Sequence, residues 1–270
     1  MIGFRMALAT ALAVAPPGMA SAKTGMSPAL SSRPLAGSRT ILAAGKTLLP
    51  DGAVVYVPAT TGAGRTPLLV LLHGAGGRGA RFIDQFTDFA DREGVALLAV
   101  QAHGPTWDLA PKRALLGGPL AMKGRPQIGF GDDVSRVDSA LASLFAKAAI
   151  DPKRITLLGF SDGASYALSL GLANPQLFSA IVALSPGFVV IPPLLAPAQR
   201  IFIAHGRQDR VLPFAVARHD ITGLLIENGL KPRFEPFEGD HRIDKDALRD
   251  GLSYAFGATP AGDVPLNLQR

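Results

Sequence analysis

The string Gly159-Phe160-Ser161-Asp162-Gly163 places a serine two residues from a glycine on either side. A serine hydroxyl is a poor nucleophile near neutral pH. It needs a histidine to take its proton, and the histidine needs a carboxylate to fix its tautomer and orientation. Both types occur downstream. Asp209 lies in "IAHGRQDRVLP" (203–213) and His241 in "FEGDHRI" (237–243). Serine, then acid, then histidine is the chain order expected when the nucleophile sits on a strand-to-helix bend. Two histidines follow Asp209, and helical periodicity separates them. Over Phe214–Asn228 the apolar residues Ala217, Ile221, Leu224 and Leu225 share one face, and His219 falls near the opposite one. His241, on a loop after a strand, is therefore the expected base. The chemistry of such a set is acyl transfer through a serine ester.

A tetrahedral intermediate carries negative charge on the former carbonyl oxygen and needs donors aimed at it. The backbone N–H of Asp162, just after the serine, is one candidate. The second is expected in His73-Gly74-Ala75-Gly76-Gly77, where small residues let the backbone approach a substrate, with the N–H of Ala75 preferred over that of Gly74. His73 precedes the nucleophile in the chain and is read as an anchor for this loop. Trp107 has two readings: a substrate-binding ring that stacks on an aromatic or sugar group, or a packing residue.

These residues need a scaffold that brings distant loops to one edge. Strands are expected at Ala53–Val57, Leu68–Leu72, Ala96–Gln101, Ile155–Phe160, Ala180–Leu184, Ile201–Ala204 and Arg233–Phe237. Several are continuous apolar runs, the pattern of strands covered on both faces. Helices are expected over Asp132–Lys147, where Val134, Val137, Leu141, Leu144 and Phe145 form one stripe, over Ala164–Ala173, and over Phe214–Asn228 with Gly229 as its C-cap. Strands alternating with helices predict an α/β fold, a mostly parallel central sheet with helices on both faces. The serine then sits at a sharp bend that Gly159 and Gly163 leave room for, and the acid and base follow strand C-terminal ends, where open α/β sheets build their sites. Gly104–Gly131 is an irregular Pro- and Gly-rich stretch of the kind that often serves function.

The chain has 270 residues, 48% hydrophobic and 18% charged, enough to bury a large core and far from the composition of a disordered protein. Its net charge of +6 comes from scattered Lys and Arg without a dense basic run, so no nucleic-acid partner is expected. With no cysteine there is no disulfide framework or thiolate nucleophile. The five histidines are dispersed and show no metal-ligand spacing, so no metal is expected. "HGAGGRG" lacks the Gly-Lys-Ser/Thr end of a P-loop, and no dinucleotide fingerprint appears, so no organic cofactor is expected either. At the N-terminus, Arg5, the apolar stretch Met6–Ala15 and Ala20-Ser21-Ala22 follow the order of a secretory signal, with cleavage expected after Ala22 and a secreted or periplasmic product. The expected organisation is a signal peptide (1–22), a flexible leader (23–45), a catalytic domain (46–260) and a short tail (261–270). The apolar region Leu168–Ala198 is broken by Asn174 and several prolines, so stable membrane insertion is not expected.

Four stretches, "LLHGAGG", "GFSDGAS", "HGRQDRVLP" and "EGDHRI", together resemble the signatures of α/β-hydrolase fold esterases. The similarity is to the phospholipase/carboxylesterase group and its relatives among secreted polyester depolymerases and feruloyl esterases, over about Ala53 to Phe256. It implies a serine ester hydrolase that acts on a small-molecule or polymeric ester without metal or organic cofactor. A peptidase, an acyltransferase or a non-catalytic binding protein could share the scaffold. Asp240 departs from the pattern. It stands where the family often has glycine and puts a second carboxylate beside the imidazole.

Overall fold

The computed structural model describes residues 27–35, 42–59, 64–109 and 129–257. The expected signal peptide and tail, and the middle of the Gly104–Gly131 stretch, lie outside the described residues.

Eight strands form one sheet: β1 (Gly45–Leu48), β2 (Val54–Val57), β3 (Thr66–Leu72), β4 (Ala96–Val100), β5 (Ile150–Phe160), β6 (Ala180–Leu184), β7 (Arg200–Gly206) and β8 (Arg233–Phe237). Their order is β1-β2-β4-β3-β5-β6-β7-β8. β2 pairs antiparallel with β1 and β4, and every pairing from β4 through β8 is parallel. The continuous apolar runs are the central strands, and all of β3 is buried. Alternate residues feed opposite faces: Leu68, Val70 and Leu72 pack with the helices on one side, Leu69 and Leu71 with those on the other. One face is covered by α3 (Asp133–Phe145), α4 (Asp162–Ala173) and α5 (Thr222–Glu227). The other is covered by α1 (Gly79–Phe82), a 3₁₀ turn at Ile83–Phe86, α2 (Thr87–Glu93) and α6 (Lys245–Phe256).

α3 buries the stripe Val134, Val137, Leu141, Leu144 and Phe145, as its spacing predicts. α4 is buried from Gly163 through Leu172, so its residues carry no polar face. Two expectations change. The helix expected over Phe214–Asn228 winds as a π turn over Val216–Ile221 before α5 begins, with Thr222 Oγ1 donating to the Ala217 carbonyl at 2.8 Å. The wider turn shifts the register, so Leu224, expected on the inner face, is 38% exposed, while Ala217, Ile221 and Leu225 stay inside.

The stretch expected as a flexible leader is docked over residues 27–35. Leu30 is buried, and its N–H donates to Asn174 Oδ1 at 2.8 Å. The Asp138 carboxylate on α3 accepts the N–H groups of Ser31 and Ser32 and the Ser31 hydroxyl. These bonds and the burial of Leu30 offset the entropy that Ser-, Gly- and Ala-rich chain loses on ordering. β1, unrecognised in the sequence, also begins within that stretch.

Candidate active site

β5 runs straight into α4, and Ser161 is the hinge between them. Its backbone is left-handed, with φ 57° and ψ −119°, a strained setting for a residue with a side chain. A Cβ at Gly159 would run into the Gly163 carbonyl, and one at Gly163 into the carbonyls of Leu72 and His73. The two glycines are therefore what lets β3, β5 and α4 meet. The bend is closed by the Ser161 N–H donating to the Leu184 carbonyl (2.8 Å) and by the Ser161 carbonyl accepting from Ala164 N–H (3.0 Å).

The structure brings Ser161, His241 and Asp209 together. His241 Nε2 lies 2.8 Å from Ser161 Oγ, and its Nδ1 lies 2.7 Å from Asp209 Oδ2. A carboxylate only accepts, so Nδ1 carries the proton and Nε2 offers its lone pair to the serine hydroxyl. The His241 ring packs against the Phe160 ring, centroids 5.0 Å apart. Its loop is tied to the end of β7 by Arg207 N–H to the Phe237 carbonyl and Gln208 N–H to the Gly239 carbonyl, both 2.9 Å. A Cβ at Gly206 would meet the carbonyls of Gly239 and Asp240, so the two loops approach closely there. The Asp240 side chain turns outward to Arg242 (3.4 Å) and leaves the imidazole to Asp209. His219 is exposed on the π turn, away from this set. A groove of about 600 Å³ beside that turn, lined by Phe214, Arg218, Ile226 and Phe234 among others, includes none of the three residues.

Asp209 is held from several sides. Its Oδ1 accepts the N–H groups of Val211 (2.9 Å) and Leu212 (2.8 Å). Its Oδ2, besides meeting His241, lies 3.1 Å from Nε2 of His205. His205 is fully buried and also bonds the Leu212 carbonyl at 2.8 Å. Burial pushes its pKa down, against the opposing pull of the Leu212 carbonyl and Asp209, so the ring is neutral. Sequence reasoning gave His205 no role; the histidine four residues before the acid, at the end of a buried strand, was the available signal.

On the other side of Ser161 stand the expected anion donors. Ala75 is exposed, and the adjacent Gly74 approaches the elbow so closely that a Cβ there would stand 3.3 Å from Ser161 Cβ. Among the described residues no acceptor is found for the N–H groups of Ala75 and Asp162, which leaves both free for a ligand oxygen. The loop is pinned by His73: Nδ1–H donates to the Gly74 carbonyl (2.8 Å), and Nε2 meets the Ala102 N–H (3.2 Å) and Gln101 Nε2 (3.0 Å).

Trp107 is placed differently from its substrate-binding reading. It is 0% exposed, its indole N–H donates to the His73 carbonyl at 2.8 Å, and its ring packs against Tyr166 and His73. No face of the ring is open to a substrate, and its work is to hold the loop. Its backbone N–H donates to Asp162 Oδ2 at 2.7 Å. Burial pushes the Asp162 carboxyl up to about 6; the Trp107 N–H opposes this, and the negative neighbour Asp133 adds to it. Among the described residues no group of three or more His, Asp or Glu is placed to hold a metal ion, and no helix is long and apolar enough to cross a membrane.

A model of phospholipases and carboxylesterases matches residues 120–254, half of the chain. The chain belongs to the phospholipase/carboxylesterase family. In that family's terms the eight-stranded, mostly parallel sheet is an α/β-hydrolase core. Among curated proteins, NocK, a proposed esterase of Nocardia uniformis subsp. tsuyamanensis, is 28% identical over 153 residues, or 55% of this chain and 41% of NocK. This phospholipase/carboxylesterase chain thus spans less than half the length of that relative. Solved structures share the fold. Esterase PE8 matches with 24% identity and a TM-score of 0.52, over 73% of this chain and 94% of that one. The Bacillus cereus carboxylesterase matches with 20% identity and a TM-score of 0.53, over 75% and 92%. A ferulic acid esterase matches with 13% identity and a TM-score of 0.55, over 78% and 94%.

Proposed function

We propose that the protein is a secreted serine esterase that cleaves carboxylic esters through an acyl-enzyme. The observation that carries the reading is the unbroken run of contacts from Ser161 Oγ through both nitrogens of His241 to Asp209, built on a strained elbow. In the first half-reaction His241 Nε2 takes the Ser161 proton as Oγ bonds to the ester carbonyl carbon. The carbonyl electrons move onto oxygen, where the N–H groups of Ala75 and Asp162 meet the charge. The resulting imidazolium is stabilised by Asp209, which keeps its own ionisation. Collapse returns the Nε2 proton to the departing alcohol and leaves an ester on Ser161. Water, deprotonated by the same nitrogen, then releases the acid. Each interaction named is stronger in the charged transition state than in the ground state, which is what catalysis requires.

The test is labelling by a serine-directed phosphonate with site mapping, together with hydrolysis of acyl-nitrophenyl, feruloyl and polyester substrates. Label on Ser161, lost in Ser161→Ala along with about a thousandfold or more of the activity, is the expected result. Turnover by a folded Ser161→Ala protein at the native rate rejects the reading. Export rests on the Arg5, Met6–Ala15, Ala20–Ala22 arrangement. The N-terminus of protein from the native host should be Lys23, and a cellular enzyme that begins at Met1 rejects export.

A further inference from the structure

Strands β5 and β6 end level with Ala204 of β7, which runs on to Gly206. Phe160 pairs with Leu184 and Leu184 with Ala204. One residue further on, the ladder continues through Ser161 N–H to the Leu184 carbonyl and Ser185 N–H to the Ala204 carbonyl, both 2.8 Å. Ser161 and Ser185, just past the ends of β5 and β6, therefore stand level with His205 of β7. Among the described residues, Ser161 and Ser185 are the two that are not glycine and have positive φ, 57° and 53°. The strain at Ser161 presents a hydroxyl to His241. Ser185 has no such duty in the site described above. It is 0% exposed, and its Oγ has no hydrogen-bond partner. The position is costly twice, once for a left-handed backbone and once for a buried, unbonded hydroxyl. Glycine would remove both costs.

The neighbouring His205 has the complementary deficit. Its Nε2–H is shared between the Leu212 carbonyl (2.8 Å) and Asp209 Oδ2 (3.1 Å). Nδ1 must then hold a lone pair, and it too is buried without a partner. A hydroxyl that lacks an acceptor and a ring nitrogen that lacks a donor thus occupy adjacent ladder positions behind Asp209.

We propose that Ser185 and His205 are a positioning pair for Asp209: the Ser185 hydroxyl, by rotation about χ1 or through one bridging water, donates to His205 Nδ1 and so locks the tautomer whose Nε2–H holds the acid. The idea rests on the reading of Asp209 as the acid of the esterase. The physical stake is the tautomer. With the proton on Nδ1 instead, the Nε2 lone pair would face the Asp209 carboxylate and the Leu212 carbonyl, so three acceptors would converge and push the acid out of line with His241. Burial keeps the ring from holding both protons, so the tautomer must be chosen, and a donor at Nδ1 chooses it. The array then runs Ser161–His241–Asp209–His205–Ser185, and no proton moves beyond His241.

Ser185→Gly removes the hydroxyl while suiting the left-handed backbone. The expected variant unfolds at the native temperature or above, loses about tenfold in kcat, the scale of one hydrogen bond to a charged network, and keeps its KM. In ¹⁵N-histidine NMR spectra the ring nitrogens of His205, assigned by their absence in His205→Gln, should move from the Nε2–H pattern toward a mixture of tautomers. His205→Gln keeps an N–H near the Nε2 position and should retain more activity than His205→Ala. Adding Ser185→Gly to His205→Gln should cost nothing further. Native kcat in Ser185→Gly, or unchanged His205 ring-nitrogen signals, overturns the pairing. If Ser185→Gly does not accumulate as folded protein, Ser185→Ala carries the same measurements. The NMR readout is taken on free enzyme, so it judges the pair even if phosphonate labelling has rejected the esterase reading.

Discussion

Two buried, neutral histidines flank Ser161, and they hold their loops in different ways. His73, on the side of the Gly74–Ala75 loop, spends both ring nitrogens on its surroundings: Nδ1 on the Gly74 carbonyl, Nε2 on Ala102 and Gln101. With Trp107 and the Asp162 carboxylate it makes a closed network in which both N–H groups of Trp107 meet acceptors. His205, on the acid side, spends one nitrogen twice and leaves the other without a partner. A fully bonded pin is what a fold needs to fix a loop. A pin that shares one N–H between a backbone carbonyl and the carboxylate facing His241 holds a side chain of the proposed site rather than only its loop. The difference suggests that damage on the two sides should be read by different instruments, stability on the first and turnover on the second.

The acid side should give the largest effect. His241→Ala is expected to lower kcat/KM by about ten-thousandfold while circular dichroism stays native, because the base is lost and the fold is not. His219→Ala, on the exposed π turn, should change it by less than about tenfold. The reverse ranking would break the assignment of the base. On the other side, His73→Ala strands the Ala102 N–H and the Gly74 carbonyl and opens a cavity, so it should cost about 3 kcal/mol of stability, read by denaturant unfolding. A native unfolding midpoint would show that the closed network is not what holds this loop.

Asp162 gives the smallest and most pH-specific effect. Its folded pKa, about 6, is raised above the ordinary aspartate value of 3.8. The protonated form therefore favours the fold, a contribution complete below about pH 4 and lost as pH rises through 6. Asp162→Asn, neutral throughout and still able to accept from Trp107, should match the native Tm at pH 4 and exceed it at pH 8. The gain should be about 2 kcal/mol, somewhat less than the full shift implies because the side chain is only partly shielded from solvent. Equal Tm values at pH 8 would mean that the carboxylate is better solvated than its burial indicates.

What the sequence made legible was whatever rests on local pattern. The continuous apolar runs became the central strands, the stripe of α3 faced inward, and the order Ser161, Asp209, His241 was enough to select residues that the fold brings into contact. What escaped depends on partners remote in the chain. Ser27–Leu35 has the composition of a linker, and partners remote in the chain, Asp138 and Asn174 above all, make it a strap. Trp107 could be read as a binding ring because its partners, the His73 carbonyl and the Tyr166 ring, belong to other elements. The short strand β1 alternates half-buried and exposed residues at the sheet edge, with too few apolar positions to announce itself. The π turn kept Ala217, Ile221 and Leu225 inside and turned out Leu224, a change that the spacing of apolar residues does not announce.

The strap also decides which way the molecule can be held. Asn174, its anchor, follows the last residue of α4, and α4 starts at Asp162 beside Ser161. A helix of twelve residues is about 18 Å long, so the strap leaves the domain near the edge remote from Ser161. A carrier, bead or surface joined ahead of Ser27 would have its attachment point at that far edge and the Ser161 edge turned outward. That makes the N-terminal side the natural handle for holding the protein with Ser161 facing outward.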